Sequence, residues 1–256
     1  MAKVYFVGAG PGDPELITIK GRRLLDQAAV VIYAGSLVNP EIVKGIKAEI
    51  KDSSGMTLEE IINTMTQSIA MGKMVVRLHT GDTSFYSAIS EQIEQLCASG
   101  IEYEVIPGIS SAMAGAAILG QELTIPEISQ TVIFTRLEGR TPVPEAEKLS
   151  ELAKHRATMV IFLSVGMVEK VKDELLQGYP EDTPIAIIEK ASWPDEKIVR
   201  GELKDIVELV KNANIKKTAL IYIGEALRAS MEALGKESRL YCKDFKHEYR
   251  NYCEKY

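Results

Sequence analysis

The stretch KVYFVGAGPGDP, Lys3 to Pro14, decides the fold. Lys3 to Gly8 is apolar and reads as a buried strand. Gly8-Ala9-Gly10-Pro11-Gly12-Asp13-Pro14 is then a turn that no helix tolerates, because its glycines are too free and its prolines remove backbone donors. Helical spacing resumes at once. Leu16, Ile19, Leu24, Leu25 and Ala28 line one face of a helix over Leu16 to Ala28. Ala29 to Ala34 (AVVIYA) is a second apolar strand. Strand, glycine turn, helix and strand make the unit of a parallel sheet, since parallel neighbours need a crossover connection.

The unit repeats along the chain. Thr57 to Met71 reads as a helix, with Thr57 as N-cap, Glu60 completing a capping box and Gly72 as the stop. Met74 to Leu78 is a strand that runs into His79-Thr80-Gly81-Asp82. Ser84 to Ala98 reads as a helix ended by Gly100, Ile101 to Ile106 as a strand stopped by Pro107-Gly108, and Ser110 to Leu119 as a helix. This alternation predicts an α/β fold, a mostly parallel sheet covered by helices on both faces. After a polar connection containing Pro126, a second set begins. Its strands are predicted at Thr131 to Thr135, Thr158 to Leu163, Ile185 to Glu189, Ile198 to Arg200 and Ala219 to Ile223. Its helices are predicted at Glu145 to Lys154, Met167 to Gln177 and Leu203 to Asn212. The expected organisation is an N-terminal α/β domain over 1–119, a C-terminal α/β domain over 120–240, and an aromatic helix or tail over 241–256. In that last stretch Tyr241, Phe245, Tyr249, Tyr252 and Tyr256 recur at helical spacing. It reads as a docking or dimer-contact helix, or as a stripe packed on its own domain.

Length and charge exclude several classes. At 256 residues the chain holds two domains of ordinary size. Its net charge of −6 argues against a phosphate-neutralising surface, so nucleic acid is not the expected partner. Three cysteines, Cys97, Cys242 and Cys253, with no CxxC, make neither a disulfide framework nor a zinc site. No signal peptide is read at the N-terminus, and no apolar run reaches the roughly 18 residues of a membrane span. A cytoplasmic enzyme without a metal site of its own is the expectation these leave.

The glycine turns are the candidate chemistry. The first invites a dinucleotide reading, and three details oppose it. Its spacing is Gly-x-Gly-x-Gly, prolines interrupt the entry to the helix, and the second strand ends in Tyr33-Ala34-Gly35 with no acid for a ribose. The second, Thr80-Gly81-Asp82, follows a strand, where ligands of open α/β sheets bind, although Asp82 also suits a helix cap. The third is Pro107-Gly108-Ile109-Ser110-Ser111. Histidines 79, 155 and 247 are far apart, and neither a Gly-x-Ser-x-Gly elbow nor a P-loop occurs, which weakens the zinc, hydrolase and NTPase readings.

Taken in order, GAGPGDPELIT, RLHTGDTSFYSAISEQ, VIPGISSA, TRLEGRTPVPE and EKASWPDEKIVRGEL resemble the tetrapyrrole (corrin/porphyrin) methylase family over roughly residues 3 to 235. The strings YAGSLVNPE, TRLEGRTPVPE and ASWPDEKIVRGEL are most similar to members that methylate carbon 11 of precorrin-4 or its cobalt complex in cobalamin biosynthesis. The resemblance implies a two-domain αβα fold with the active-site cleft between the domains, a homodimer, and S-adenosyl-L-methionine as methyl donor. Carried over motif by motif, it implies cofactor binding by Pro11, Thr80, Gly81, Asp82, Phe85, Ser110, Ser111, Leu163, Ala191 and Ala219. Small or apolar Phe85, Leu163, Ala191 and Ala219 can wall an adenine, and the Asp82 carboxylate suits a ligand bearing a sulfonium and an ammonium. Where many family members read Gly-Asp-Pro this chain reads Gly81-Asp82-Thr83, for which a change in turn stiffness is expected and not a loss of binding.

A sulfonium methyl is already activated, so the expected reaction is a direct in-line displacement driven mainly by holding two ligands aligned. The sequence names no general base. The implied substrate carries several carboxylates, so basic groups are expected to gather near its site despite the net charge. Arg136, Arg140 and Lys190 are the candidates, against solvent-facing charge as the plain alternative. Three other readings stand beside this one. They are a sibling methylase acting at another ring carbon, on ribosomal RNA or on diphthine; a dinucleotide-dependent oxidoreductase; and a binding scaffold without catalysis.

Overall fold

The computed structural model describes residues 2–230 and Ser238. The aromatic stretch 241–256, with Cys242 and Cys253, lies outside the described residues. The chain divides into two compact units. The first is Met1–Ile118 together with Lys190–Lys197, and the second is Leu119–Glu189 with the chain from Ile198 onward.

The first unit is built on β1 (Val4–Gly8), β2 (Val30–Tyr33), β3 (Glu49–Asp52), β4 (Val75–His79) and β5 (Tyr103–Ile106). Their order is β3-β2-β4-β1-β5, and every neighbouring pair is parallel. The helices are α1 (Ile19–Gln27), α2 (Leu58–Ala70), α3 (Ser90–Ala98) and α4 (Ser111–Leu119). One sheet face packs Val7, Val31, Val76 and Leu78 with Leu24 and Leu25 of α1. The other packs Phe6, Ile32 and Val75 with Ile61, Ile62 and Met65 of α2 and Leu96 of α3. Burial on both faces is why these strands read as unbroken apolar runs. Each such side chain contributes about 1.5–3 kcal/mol, enough to fix helices of only nine to thirteen residues that would be marginal alone. The capping box at Thr57 and Glu60 forms as the sequence predicts.

Two expectations fail here. The strand β3 (EIKD) is not legible, because three of its four residues are exposed and it lies at the edge of the sheet. The helix expected from Ser84 begins only at Ser90. Tyr86 and Ala88 take left-handed backbone angles, φ 54° and 48°, which no helix accommodates.

The second unit carries β6 (Val132–Arg136), β7 (Thr158–Phe162), β8 (Pro184–Glu189), β9 (Lys197–Glu202) and β10 (Ala219–Ile223), in the order β6-β7-β10-β8-β9. Its helices are α5 (Leu149–Ala153), α6 (Val168–Leu175) and α7 (Ile206–Asn212). Val168, Val171 and Leu175 of α6 and Ile206 and Val210 of α7 face the core strands at helical spacing. β6 and β7 are parallel, but β10 is antiparallel to both β7 and β8. The expectation of a mostly parallel sheet therefore does not carry over to this unit. All five residues of β10 are buried, and a strand covered on both faces has the same apolar signature in either direction.

Candidate functional site

In the first unit the three glycine turns lie at the carboxyl ends of β1, β4 and β5 and are bonded into one body. Gly10 N–H donates to Gly81 O at 3.1 Å, Gly81 N–H returns to Gly10 O at 2.7 Å, and Ala9 N–H reaches His79 O at 2.7 Å. Gly10 and Gly81 have φ of 80° and 65°, which explains the residue type at both. Gly8 is required for another reason. A Cβ there would lie 2.6 Å from the Gly108 backbone. The two positions are 100 residues apart, so no local reading of either string shows that they touch.

Asp82 closes the arrangement. Its Oδ2 accepts from Gly108 N–H at 2.7 Å, and its Oδ1 accepts from Ser84 N–H at 2.9 Å. Burial pushes its carboxyl up, but the backbone bonds from Gly108, Ser84 and Thr83 prevail and hold it below the usual range. Asp82 is thus an ionised tie between two turns and not a helix cap, since no helix starts beside it. Thr83 is 2% exposed, and its hydroxyl has no partner among the described residues. A Cβ on Gly81 would make only ordinary van der Waals contact with the start of α4, the nearest atom being Ser111 N at 3.8 Å. Ser110 is buried and caps that helix from Ala112 N–H at 3.3 Å, while Ser111 is half-buried and Thr80 exposed. Phe85 stands out from the following loop with 36% of its surface exposed.

Beneath the turns lies a polar cluster that the sequence does not announce. The buried Arg77 guanidinium donates to Ser53 Oγ at 2.9 Å, Gln92 Oε1 at 3.2 Å and Ile32 O at 3.3 Å, and burial lowers its pKa to about 10. Gln92 Nε2 in turn donates to Ala88 O at 2.9 Å, which ties the left-handed loop to β4. His79 is 7% exposed, its Nε2 lacks a partner among the described residues, and its ring lies 6.0 Å from that of Phe6. Burial, with Arg77 adding to it, pushes its pKa down to about 3, so it is neutral and a poor base at physiological pH.

The first turn has partners of its own. Pro11 is buried, and its carbonyl accepts from Trp193 Nε1 at 2.9 Å. Gly12 O accepts from Asn39 Nδ2 at 2.8 Å, and Asp13 N–H donates to Ser192 Oγ at 3.0 Å. Trp193 and Asn39 are absent from the expected site. The one available signal was the string ASWPDEK, which holds the chain's single tryptophan. Ala191 is buried in the same 190–197 loop, and Lys190 pairs with Asp195 while its ammonium lies 5.9 Å from the Trp193 ring centroid. At the end of β2, Asp52 supplies from β3 the acid that Tyr33-Ala34-Gly35 lacks. Its Oδ1 accepts from Gly35 N–H at 2.9 Å, Ser54 N–H at 2.8 Å and Ser54 Oγ at 2.6 Å.

In the second unit, Leu163 follows β7 and Ala219 opens β10. Ala219 is opposite Glu189, and β10 runs antiparallel to β7 with Ile221 opposite Ile161. Leu163 has φ 53° and is 70% exposed, an apolar side chain held out by unfavourable backbone. Arg136 ends β6 opposite Phe162, and its Nη2 donates to Thr141 O and Pro142 O, both at 3.1 Å. Arg140 is exposed in the same loop. The expected residues therefore fall into two groups. Pro11, Thr80, Gly81, Asp82, Phe85, Ser110 and Ser111, with Lys190 and Ala191, belong to the first unit. Leu163, Ala219, Arg136 and Arg140 lie at one rim of the second sheet.

Among the described residues no group of histidine, cysteine, aspartate or glutamate could hold a metal ion, and no helix is long and apolar enough to cross a membrane. Comparison with known proteins gives consistent results. The profile of the tetrapyrrole (corrin/porphyrin) methylases matches residues 3–207. The chain is 58% identical to the cobalt-precorrin-4 C(11)-methyltransferase of Methanocaldococcus jannaschii, over 99% of this chain and 98% of that one. The crystal structure of a cobalt-precorrin-4 methyltransferase of cobalamin biosynthesis superposes with a TM-score of 0.86 at 51% identity, covering 88% of this chain and 95% of that one. The uroporphyrin-III C-methyltransferase of Thermus thermophilus, solved with S-adenosylhomocysteine, gives 0.76 at 30% identity, covering 89% of this chain and all of that one.

Proposed function

The chain belongs to the tetrapyrrole (corrin/porphyrin) methylases, and on that premise we propose that it transfers a methyl group from S-adenosyl-L-methionine to carbon 11 of cobalt-precorrin-4. The observation that carries the reading is 58% identity over 99% of the chain to an enzyme of that name. The methyl donor fits the residues present. Asp82 offers an ionised carboxylate, Thr80 is exposed and Ser111 is half-buried. Phe85 and Leu163 each expose apolar surface, 36% and 70% of it. An anion and hydroxyls suit the cationic and polar end of such a ligand, and exposed apolar side chains suit its aromatic base.

When bound, S-adenosylmethionine supplies a methyl group already activated on a positively charged sulfur. The residues of the chain then have to bind, orient and exclude water. Pro11, Thr80, Gly81, Asp82, Phe85, Ser110, Ser111, Leu163, Ala191 and Ala219 are the proposed cofactor residues. Asp82 contributes twice, attracting the cationic end and holding the Gly81 and Gly108 turns in one geometry. No proton acceptor is built into this group. His79 is neutral with a pKa of about 3, and Asp82 is held ionised by backbone donors. The rate gain therefore rests on alignment of two bound ligands. Arg136, Arg140 and Lys190 are proposed to bind the substrate's carboxylates. A homodimer in the cytoplasm is the proposed working form, to be checked by light scattering for twice the chain mass.

Incubation with labelled S-adenosylmethionine and a precorrin-4-generating mixture, with and without cobalt, tests the reading. NMR should place the new methyl on carbon 11, with the cobalt complex the better substrate. Methylation at another ring carbon would make the chain a sibling enzyme. For the basic residues, Arg136→Ala and Arg140→Ala should raise the substrate KM with little change in kcat. If neither raises it, these two arginines are solvent-facing charge.

A further inference from the structure

The segment Lys190–Lys197, which joins β8 to β9, belongs with the first unit, and its centre lies on the glycine turn. A Cβ added to Gly12 would fall on Cδ1 and Nε1 of Trp193. Gly12 has no left-handed φ to justify its residue type. It is glycine because the indole lies directly against its backbone. Around it, three consecutive backbone groups are held by side chains from elsewhere in the sequence. Trp193 Nε1 donates to Pro11 O, Asn39 Nδ2 donates to Gly12 O, and Ser192 Oγ accepts from Asp13 N–H. The bonds between Gly10 and Gly81 hold the start of the turn, and these three contacts hold Pro11 to Asp13 beyond it.

The loop is braced to deliver the indole. Lys190 and Ser192 both take left-handed angles, φ 53° and 67°, a conformation that persists only where the surroundings impose it. Here Lys190 pairs with Asp195, Ser192 N–H donates to Glu196 Oε2 at 2.6 Å, Trp193 N–H to Lys190 O at 2.9 Å, and Glu196 N–H to Trp193 O at 3.1 Å. Two strained residues and four internal contacts thus serve to place one aromatic ring on Gly12.

We propose that Trp193 is the positioning residue of the cofactor turn. It holds Pro11 to Asp13 in the shape that binds S-adenosylmethionine, and its emission reports occupancy of that turn. The proposal rests on the cofactor reading above. Because Trp193 is the only tryptophan of the chain, the full-length protein gives an unmixed signal.

The test is calorimetric titration of wild type, Trp193→Phe and Trp193→Ala with S-adenosylhomocysteine, with fluorescence titration of wild type and melting curves of all three without ligand. Trp193→Phe keeps a ring and loses the hydrogen bond, so its affinity should fall about 5-fold, the size of one neutral hydrogen bond. Trp193→Ala should fall further, by about 10-fold or more. Wild-type emission should shift or quench in step with the calorimetric isotherm. A folded Trp193→Ala or Trp193→Phe that binds within about 2-fold of wild type overturns the positioning role, and unchanged emission overturns the reporter role. Failure of wild type itself to bind would remove the cofactor reading and this proposal together. If Trp193→Ala does not fold, the Trp193→Phe comparison still decides.

Discussion

At the carboxyl rim of the first sheet, Gly8, Gly81 and Gly108 meet backbone to backbone, with a carboxylate and a half-buried indole locking the turns. At the rim of the second sheet the candidate residues are side chains. Leu163 projects into solvent, Ala219 is a small residue at a strand start, and Arg136 is anchored to its own loop. The first rim obtains its shape from close approach, so it is rigid and intolerant of added atoms. The second obtains its chemistry from what its side chains expose, so it tolerates change in the fold and not in binding. Damage to the first rim should therefore be read in stability as well as in affinity, and damage to the second in affinity alone.

The largest expected effect breaks the first rim outright. A Cβ on Gly108 would fall on the Gly81 carbonyl oxygen and lie 2.8 Å from Gly8 Cα, with backbone on every side. Gly108→Ala should cost about 3–5 kcal/mol or prevent folding, because no flexible side chain can move aside. Urea unfolding measures it. A loss below about 1 kcal/mol would show that the three turns can separate, and the rigid half of the comparison would fail.

Acid should act next, and again on the first rim. The folded pKa of His79 is about 3 against an ordinary 6.5. The unfolded chain therefore binds the extra proton between these values, and stability falls as pH drops from about 6.5 towards 3. The loss by pH 4 should be about 2–3 kcal/mol. His79→Leu should remove that slope while leaving stability at pH 7 near its starting value. An unchanged slope in the variant would mean that the imidazole is not desolvated as its burial implies.

Asp82→Asn should cost about 2 kcal/mol, the weight of hydrogen bonds made to a charged acceptor, and should weaken S-adenosylhomocysteine binding. The pH window separates it from His79. The Asp82 carboxyl is lowered from 3.8, so its contribution is complete above that value and is lost only as pH falls through the lower folded one. Denaturation curves at pH 7 and pH 5 should thus show the same deficit for Asp82→Asn, whereas the His79 contribution differs between them.

Much of the first rim's framework is legible in sequence, because apolar strands buried on both faces, glycine stops and the Thr57–Glu60 capping box are local patterns. What stays hidden is non-local or polar. Nothing in EIKD marks Glu49–Asp52 as an edge strand, since its residues bury little. The helical periodicity after Ser84 is overridden because Arg77, through Gln92, holds Ala88 in a left-handed turn. The approach of Gly8 to Gly108, and of Trp193 to Gly12, joins residues 100 and 181 positions apart, so only the fold reveals why those glycines are there. In the second sheet the direction of β10 is hidden for the opposite reason. Its pattern is so fully apolar that it carries no orientation.

The second rim offers the sharpest contrast and the smallest effect on stability. Leu163 combines a left-handed backbone, which costs a branched-chain residue about 1–2 kcal/mol, with a side chain 70% exposed that gains little by burial. A residue selected for stability alone would be glycine. Leu163→Gly should therefore raise stability by about 1 kcal/mol, the reverse of what Gly108→Ala and Asp82→Asn do at the first rim. If the side chain walls the adenine, the same variant should bind S-adenosylhomocysteine more weakly by about 10-fold or more, from the loss of a buried Leu side chain worth about 1.5–3 kcal/mol. Urea unfolding and calorimetry on one variant read both quantities. More stability with less affinity would mark strain held for binding, and more stability with unchanged affinity would remove Leu163 from the cofactor site while leaving Ala219 and the first rim in place.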